Sequence, residues 1–273
     1  MSKIIAVAVP KGGVGKTATA VNLAASLAVA EKKTLLIDFD PSGACSTYLG
    51  FESDKFKGDI FDVISFKTHI SKVIHHTDLN NLDIIPSDFS NLEREERLNR
   101  LTNNTNIFKN ILISEELLVY DFIIIDCPPY LKGLTTIALT ASSSLLIPVK
   151  AGQFSITALK KIFKYIGFIK NNLNPNLQIE GILLTMYEAN TKAWKLTNEK
   201  LYESYGDYIM QTVIPKNIAI TESEFFSKPA ILFNVKSKGS IAYLQLADEI
   251  IKKNFPPDNL KENSTDNKLN KNF

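Results

Sequence analysis

The residues best suited to chemistry lie in a glycine-rich segment near the amino terminus, AVPKGGVGKTATA. Its Gly15-Lys16-Thr17 matches the end of the phosphate-binding pattern G-x-x-x-x-G-K-[ST]. Pro10 stands where that pattern has its first glycine, and a second lysine, Lys11, follows it. The segment therefore predicts a phosphate loop in which a glycine is lost and a lysine is gained.

Glycines let such a loop curl so that successive backbone N–H groups face phosphate oxygens, and the helix that follows presents its positive end. Lys16 is expected to reach the β- and γ-phosphates of ATP, and Thr17 to ligate Mg²⁺. The residues predicted to bind the nucleotide from this loop are Lys11, Gly12, Gly13, Val14, Gly15, Lys16, Thr17 and Ala18.

Three aspartates follow apolar runs that are typical of buried strands, Asp38 and Asp40 in TLLIDFD and Asp126 in YDFIIIDCPP. Sites of open α/β sheets lie at the carboxyl ends of strands, so these carboxylates are expected beside the loop. Asp126 is expected to hold Mg²⁺ through water, because this ion retains several waters. Asp38 and Asp40 are expected to take different roles, one towards the metal and the other towards the γ-phosphate. A carboxylate at the γ-phosphate can orient the attacking water.

A dinucleotide-binding loop is the alternative interpretation of the same glycines. Gly13-x-Gly15-x-x-Ala18 fits the dinucleotide fingerprint, with an aspartate about 20 residues further along. The Lys-Thr pair inside the pattern supplies a cation and a magnesium ligand, and Asp126 supplies a carboxylate at a strand end. These two features favour the phosphate loop.

Buried strands alternate with helical segments along the chain, which predicts an α/β fold with a doubly wound, mostly parallel sheet flanked by helices. The predicted strands are KIIAVAV, TLLIDFD, NLDIIPS, YDFIIIDCPP, SSLLIPV and IEGILLTMY. We expect one phosphate-loop domain over residues 1–253. The polar, asparagine-rich segment 254–273 is expected to be a disordered tail.

Composition narrows the class of protein. The 273 residues are 45% hydrophobic, enough for one sizeable core, and the net charge of +2 excludes a global polycation. Any nucleic-acid surface must therefore be a local patch. The two cysteines, Cys45 and Cys127, have no metal or redox spacing, which suits a reducing cytosol and core positions.

Several ordered segments resemble one family. KGGVGKT resembles the deviant phosphate loop of the ParA/MinD class of ATPases, LLIDFDPSG its DxDPQG segment, and YDFIIIDCPP its magnesium strand. GILLTMYEANTK, TVIPKNIAITE and SKGSIAYLQLADEI resemble distal segments of the ParA/Soj branch. The resemblance covers most of the chain, up to the predicted tail.

The resemblance implies roles that spacing alone does not give. Lys11 matches a signature lysine that crosses a dimer interface to the partner's nucleotide, so that two ATP molecules are sandwiched between two subunits. Asp40 matches the residue that positions the attacking water, which makes Lys11, Lys16 and Asp40 the expected catalytic residues. Asp38 is then the further candidate metal ligand beside Thr17 and Asp126. Pro215 and Asn217, in IPKN, match the region that contacts adenine.

The implied function is an ATPase of DNA segregation, whose homodimer with ATP binds double-stranded DNA without sequence preference. A ParB-type centromere-binding protein stimulates hydrolysis and releases the dimer. The protein is then cytoplasmic, and nucleoid-associated when ATP is bound. No membrane partner is expected, because the tail has two prolines and lacks an apolar stripe.

The sequence departs from the family where DNA is bound. Two arginines that typically support DNA binding in the Soj branch are replaced by Asn190 and Ala219. Lysines can also bind phosphate, since that needs a cation and no fixed fork. The candidate DNA-binding residues are Lys192, Lys195, Lys216, Lys236 and Lys238. The alternative is a related ATPase that positions division machinery, flagella or receptor arrays and binds little DNA.

Overall fold

The computed structural model describes residues 2–51, 56–88, 92–188 and 190–256. Within these residues one eight-stranded sheet has the order β3-β4-β2-β5-β1-β6-β7-β8. All neighbouring strands are parallel except β3 and β4, which are antiparallel. The strands are β1 (Lys3–Val7), β2 (Thr34–Asp38), β3 (His75–His76), β4 (Leu82–Ile85), β5 (Phe122–Asp126), β6 (Ser144–Val149), β7 (Gln178–Tyr187) and β8 (Ile209–Pro215).

Helices connect the strands and cover the sheet. In the described part of the chain they are α1 (Lys16–Val29), α2 (Ala44–Tyr48), α3 (Ile60–Ile64), α4 (Leu92–Leu101), α5 (Ile107–Ile111), α6 (Leu134–Ala141), α7 (Gln153–Asn172), α8 (Lys192–Tyr205), α9 (Ile218–Phe225), α10 (Ala230–Phe233) and α11 (Lys238–Asn254). Among these residues no helix combines the length and the apolar character that crossing a membrane requires.

The sheet separates two apolar cores, because successive side chains of a strand point to opposite faces. Ile37 and Ile125 belong to the core on one face, and Leu36 and Ile124 to the core on the other. Helix α7 contributes to the first core, while α1 and α11 contribute to the second. Every residue of β2 and β5 is buried, which explains their continuous apolar runs. The predicted α/β fold with a doubly wound sheet is confirmed.

The two edge strands, β3 and β8, are absent from the predicted strands. β3 is only the pair His75–His76, and in β8 only Met210 and Ile214 are buried. An edge strand has a neighbour on one side only, so it needs no continuous apolar run. At the other end of the chain, α11 continues to Asn254, one residue beyond the predicted domain boundary. Residues 257–273 of the predicted tail lie outside the described part of the chain.

A buried carboxylate ties α11 to the amino-terminal ends of the strands. Glu180 on β7 is 1% exposed, and its Oε2 lies 3.0 Å from Lys3 Nζ and accepts a hydrogen bond from Ser144 Oγ at 2.5 Å. From α11, Asn254 Nδ2 donates to Oε1 at 3.0 Å, and Lys253 Nζ lies 3.6 Å from it. Burial alone would raise the pKa of Glu180, but the Ser144 hydroxyl and the Lys3 ammonium outweigh it, so the pKa is lowered.

Replacing Glu180 by glutamine is expected to reduce the free energy of unfolding at pH 7 by about 2 kcal/mol, because hydrogen bonds to charged groups contribute about 1.5–3 kcal/mol. A folded-state pKa below the unfolded value means that this stabilisation is present above about pH 4.3. It is lost as the pH falls through the lowered folded value. Urea unfolding at a series of pH values measures the effect.

The matched control is Glu199→Gln on the exposed side of α8, which should leave stability unchanged. A Glu180→Gln difference that does not shrink in acid would contradict the ionic origin of this stabilisation.

Candidate active site

The glycine-rich loop lies between β1 and α1 and curls as the sequence predicts. Gly13 and Gly15 have φ angles of 63° and 78°, a region that favours glycine. Between them Val14 is buried, and its carbonyl accepts a hydrogen bond from Thr185 Oγ1 at 2.9 Å. The carboxyl-terminal part of β7 therefore holds the loop in place through this hydrogen bond.

Lys16 and Thr17 open α1 and face the carboxyl ends of the central strands. Lys16 Nζ donates to the Lys11 carbonyl at 3.1 Å, so this side chain folds back across the loop. Burial lowers the pKa of Lys16, although the nearby Asp126 and Asp40 carboxylates act in the opposite direction. Thr17 Oγ1 donates to Asp126 Oδ2 at 2.7 Å, which brings two of the three candidate magnesium ligands together.

Asp38 and Asp126 end the neighbouring strands β2 and β5 in matching register, and both are fully buried. Asp38 accepts backbone hydrogen bonds from Asp40 and Cys45, each at 3.0 Å. Burial, reinforced by the Asp126 carboxylate, raises the pKa of Asp38 well above its usual range. Burial, with the nearby Asp40 carboxylate adding to it, raises the pKa of Asp126 to about 6.

The donor set fits a magnesium ion. Asp126 Oδ1 is buried and has no hydrogen-bond partner among the described residues. Unpaired buried carboxylate oxygens are costly, and a cation satisfies them. The Thr17 hydroxyl and the Asp126 carboxylate are oxygen ligands of the kind that Mg²⁺ prefers.

Asp40 lies in a turn beyond β2, because the strand ends at Asp38. The predicted strand TLLIDFD therefore ends two residues earlier than the sequence indicates. Asp40 Oδ1 accepts the Ser42 N–H at 3.0 Å, and its carbonyl accepts the Ser87 hydroxyl at 2.5 Å. The Asp40 side chain is half-buried, whereas Asp38 is buried next to Asp126, so only Asp40 is open towards solvent.

Comparison with known proteins agrees with this geometry. The AAA domain family matches residues 2–179. The chain is 37% identical over 258 residues to the chromosome partitioning protein ParA of Myxococcus xanthus, covering 94% of this chain and 90% of that protein. It is 38% identical over 260 residues to the sporulation initiation inhibitor protein Soj of Bacillus subtilis, covering 92% of this chain and 98% of that protein. The chain belongs to the ParA/Soj family of ATPases.

One similar solved structure contains a bound nucleotide analogue and magnesium. The cobyrinic acid a,c-diamide synthase from Mycobacterium smegmatis, with bound ATP analogue and magnesium, is 26% identical and superposes with a TM-score of 0.78. The match covers 92% of this chain and 95% of that one. Its ligands agree with ATP and Mg²⁺ as the cofactors predicted from the loop. Of the two interpretations of the glycines, membership of an ATPase family favours the phosphate loop.

Two residues that sequence reasoning missed lie beside Lys11 in this ParA/Soj-family ATPase. Lys11 Nζ donates to Ser155 Oγ at 2.8 Å, near the start of α7. Lys150 Nζ, at the end of β6, lies 3.7 Å from the position that a Cβ atom on Gly13 would occupy. Burial lowers the pKa of Lys11, and repulsion from Lys150 lowers it further. Only the position of Lys150 at a strand end could have indicated its place in the site.

The predicted adenine contacts lie at the end of the outermost parallel strand. Pro215 is the last residue of β8, and Asn217 is the N-cap of α9, where its Oδ1 accepts the Ala219 N–H at 3.1 Å. This hydrogen bond gives Asn217 a structural role in addition to the predicted one.

The candidate DNA-binding lysines lie in loops and helix starts at this same end of the sheet. Lys192 and Lys195 are exposed on the first turn of α8, and Lys236 and Lys238 are exposed around the start of α11. Lys216 is also exposed, but its Nζ lies 3.3 Å from a Glu188 carboxylate oxygen. The other four lysines have no ion pair among the described residues.

Replacing Lys150 by glutamine is expected to weaken ATP binding about tenfold, because a contact with a charged group contributes about 1.5–3 kcal/mol. Loss of the repulsion on Lys11 in the nucleotide-free protein acts in the same direction. Calorimetric titration with ATP measures the change. Lys160→Gln, on the exposed side of α7, is the control. Equal ATP affinities for the two variants would show that Lys150 does not reach the nucleotide.

Proposed function

We propose that this ATPase segregates DNA. ATP joins two copies into a dimer that binds double-stranded DNA without sequence preference, and a ParB-type partner stimulates the hydrolysis that releases it. The observation that carries the proposal is that Lys11 has no carboxylate partner among the described residues. Its ammonium lies at the rim of the loop and donates to the Ser155 hydroxyl. A cation placed in this way needs a counter-charge, which phosphates supply.

The residues of the loop account for nucleotide binding. The backbone N–H groups of residues 12–18 and the ammonium of Lys16 would hold the phosphates, since Lys16 already lies across the loop. Thr17 and Asp126 would hold Mg²⁺, with water completing its shell. When bound, the ion supplies neutralisation of phosphate charge. Pro215 and Asn217 are proposed to contact the adenine.

Asp40 is proposed to position the attacking water. Its carboxylate is partly open to solvent, whereas Asp38 is enclosed by two backbone donors. Phosphoryl transfer depends mainly on positioning and charge, so a fixed carboxylate is enough for this role. The hydrogen bond from Ser42 N–H to Asp40 Oδ1 fixes the side chain in its turn.

ATP and dimerisation are linked through Lys11. The lysine is repelled by Lys150 in its own protomer, so phosphates of a second protomer's nucleotide offer it a more favourable partner. A ligand that binds the dimer more tightly than the monomer shifts the equilibrium towards the dimer. ATP therefore promotes dimers in this proposal.

The proposed DNA surface is attached to the nucleotide site through β7. Thr185 bonds to the loop at Val14, and the next residue, Met186, lies within 4.0 Å of a Cβ position on Gly15. The residue after Met186 is Tyr187, and its carbonyl accepts the Lys216 N–H at 3.2 Å. Lys216 is one of the candidate DNA-binding lysines. A conformational change in the loop would therefore reach Lys216 through the contacts of residues 185–187.

Lys11→Ala is expected to abolish ATP-dependent dimers while monomers still bind ATP, because the cross-subunit cation is lost and Lys16 remains. Gel filtration with light scattering, in ATP and in ADP, measures the assembly. Lys160→Ala should dimerise like the unmodified protein. A Lys11→Ala protein that remains dimeric with ATP would count against the sandwich dimer.

Asp40→Ala is expected to retain ATP without hydrolysing it and therefore to bind DNA with ATP only. The test measures DNA binding with ATP, with ADP and without nucleotide over a series of salt concentrations. For lysines bound to phosphate, the logarithm of the binding constant falls linearly with the logarithm of salt concentration. Adding Lys236→Ala and Lys238→Ala should reduce that slope by about 0.9 for each of these lysines that binds a DNA phosphate.

A second candidate function has its own support. Asn190 carries no charge, and Ala219 is buried at the start of α9, so neither replaces the arginine that the family resemblance places there. A related ATPase that positions another cargo would show ATP-dependent dimers of Asp40→Ala with no DNA binding. That outcome would replace the DNA proposal with this one.

A further inference from the structure

Cys45 lies at the centre of the buried acidic end of β2 and β5. It is the second residue of α2, and its Sγ is 3.4 Å from Asp126 Oδ2. One ligand atom each from Asp38, Cys45 and Asp126 lies within 4.8 Å of the other two. All three residues are fully buried.

The local backbone holds the thiol in this position. Cys45 N–H donates to Asp38 Oδ2 at 3.0 Å, so the helix start is fixed to one of the carboxylates. Gly43 precedes it with φ 65°, and a Cβ there would come within 2.9 Å of the Ser87 carbonyl oxygen. Only glycine fits this turn, and the turn directs α2 and Cys45 inwards.

The unpartnered oxygen of Asp126 that fits a Mg²⁺ ion also fits a cation held by this cluster. Asp126 Oδ1 is buried and unpartnered among the described residues, while Oδ2 already has the Thr17 hydroxyl and the Cys45 thiol. A buried carboxylate oxygen without a donor is rare, because desolvation is then uncompensated. A cation beside Asp126 supplies the missing partner.

The ligand chemistry differs from that of a magnesium site. Mg²⁺ takes oxygen ligands, whereas a thiolate selects softer ions, and two carboxylates with one thiolate suit the tetrahedral preference of Zn²⁺. We propose that Asp38, Cys45 and Asp126 form a binding site for a thiophilic divalent cation of the Zn²⁺ class. Because Asp126 is shared with the proposed Mg²⁺ site, the two ions exclude one another. This mutual exclusion rests on the proposed function.

Binding is a ligand exchange without oxidation or reduction. The Cys45 S–H bond breaks, a sulfur–metal bond forms, and the proton leaves to solvent, as occurs whenever a thiol becomes a metal ligand. Occupation by the soft ion leaves Asp126 unavailable to Mg²⁺. The expected consequence is inhibition of Mg²⁺-dependent ATP hydrolysis by Zn²⁺ that higher Mg²⁺ relieves.

The test uses Co²⁺ as a spectroscopic probe of the full-length protein, without nucleotide or Mg²⁺. A near-ultraviolet sulfur-to-cobalt absorption band is expected for the unmodified protein. The band should be lost in Cys45→Ser and in Cys45→Ala. Cys127→Ser is the matched control, because Cys127 is also buried and free but is not among the three ligands. It should retain the band.

Absence of the band in the unmodified protein, its persistence in both Cys45 variants, or its loss in Cys127→Ser would overturn the proposal. Thermal melting identifies a variant that fails to fold, and the second Cys45 variant then decides. Zn²⁺ affinity in competition with a chelator should fall at least about 100-fold in Cys45→Ser, since even residues outside the ligand shell are worth about 10–100-fold.

The test also separates this inference from the proposed function. Co²⁺ binding is measured without ATP or DNA, so it stands if DNA partition fails. A missing cobalt band together with normal ATP-dependent DNA binding would remove the soft-metal site alone.

Discussion

The burial of two carboxylates side by side is the constraint on which the rest of the site depends. Asp38 and Asp126 end adjacent strands in register, and each is fully buried. Two such groups repel each other in a medium of low polarity, so the surrounding chain must supply donors. Backbone N–H groups, the Thr17 hydroxyl and the Cys45 thiol do so incompletely, and one oxygen of Asp126 remains unpaired among the described residues. A cation site is the physical consequence.

Positive charge is concentrated around the phosphate loop. Lys11, Lys16 and Lys150 surround the loop, and burial lowers the pKa of the first two. The two buried aspartates and the three lysines cannot neutralise each other fully, because the loop lies between them. Phosphates with a bound metal carry both signs, so one ligand satisfies both groups. The site is therefore incomplete in charge until a nucleotide and its metal are present.

The central sheet and the loop could be predicted from sequence because their signals are local. β1, β2 and β5 are continuous apolar runs, and the loop pattern is contiguous. β3 and β8 could not be found in this way, since edge strands are half-exposed and carry mixed residues. The strand register also decides which distant residues meet.

Ser155, Lys150 and Cys45 are brought to the site by the arrangement of the strands and not by a local sequence pattern. Each comes from a different loop or helix, and no spacing in the sequence links them to the glycines. Cys45 illustrates the limit most clearly: its spacing to Cys127 excludes a cysteine pair motif, yet its thiol lies against a carboxylate from β5. Ligand sets assembled across parallel strands leave no contiguous signature, because the residues are separated by entire βαβ units.

A buried polar network extends the site towards α9. Tyr48 Oη accepts a hydrogen bond from Asn22 Nδ2 at 3.0 Å and donates to the Ile220 carbonyl at 3.1 Å, while Asn22 Oδ1 accepts the Ala230 N–H at 2.7 Å. Removing one partner of a buried hydrogen bond costs about 1–3 kcal/mol. The helix after the loop, the helix after Asp40 and the helices beside the proposed DNA surface are thus held in one arrangement. A nucleotide that alters any of them must alter contacts shared by the others, which is the physical basis for linking ATP binding to a surface beyond the site.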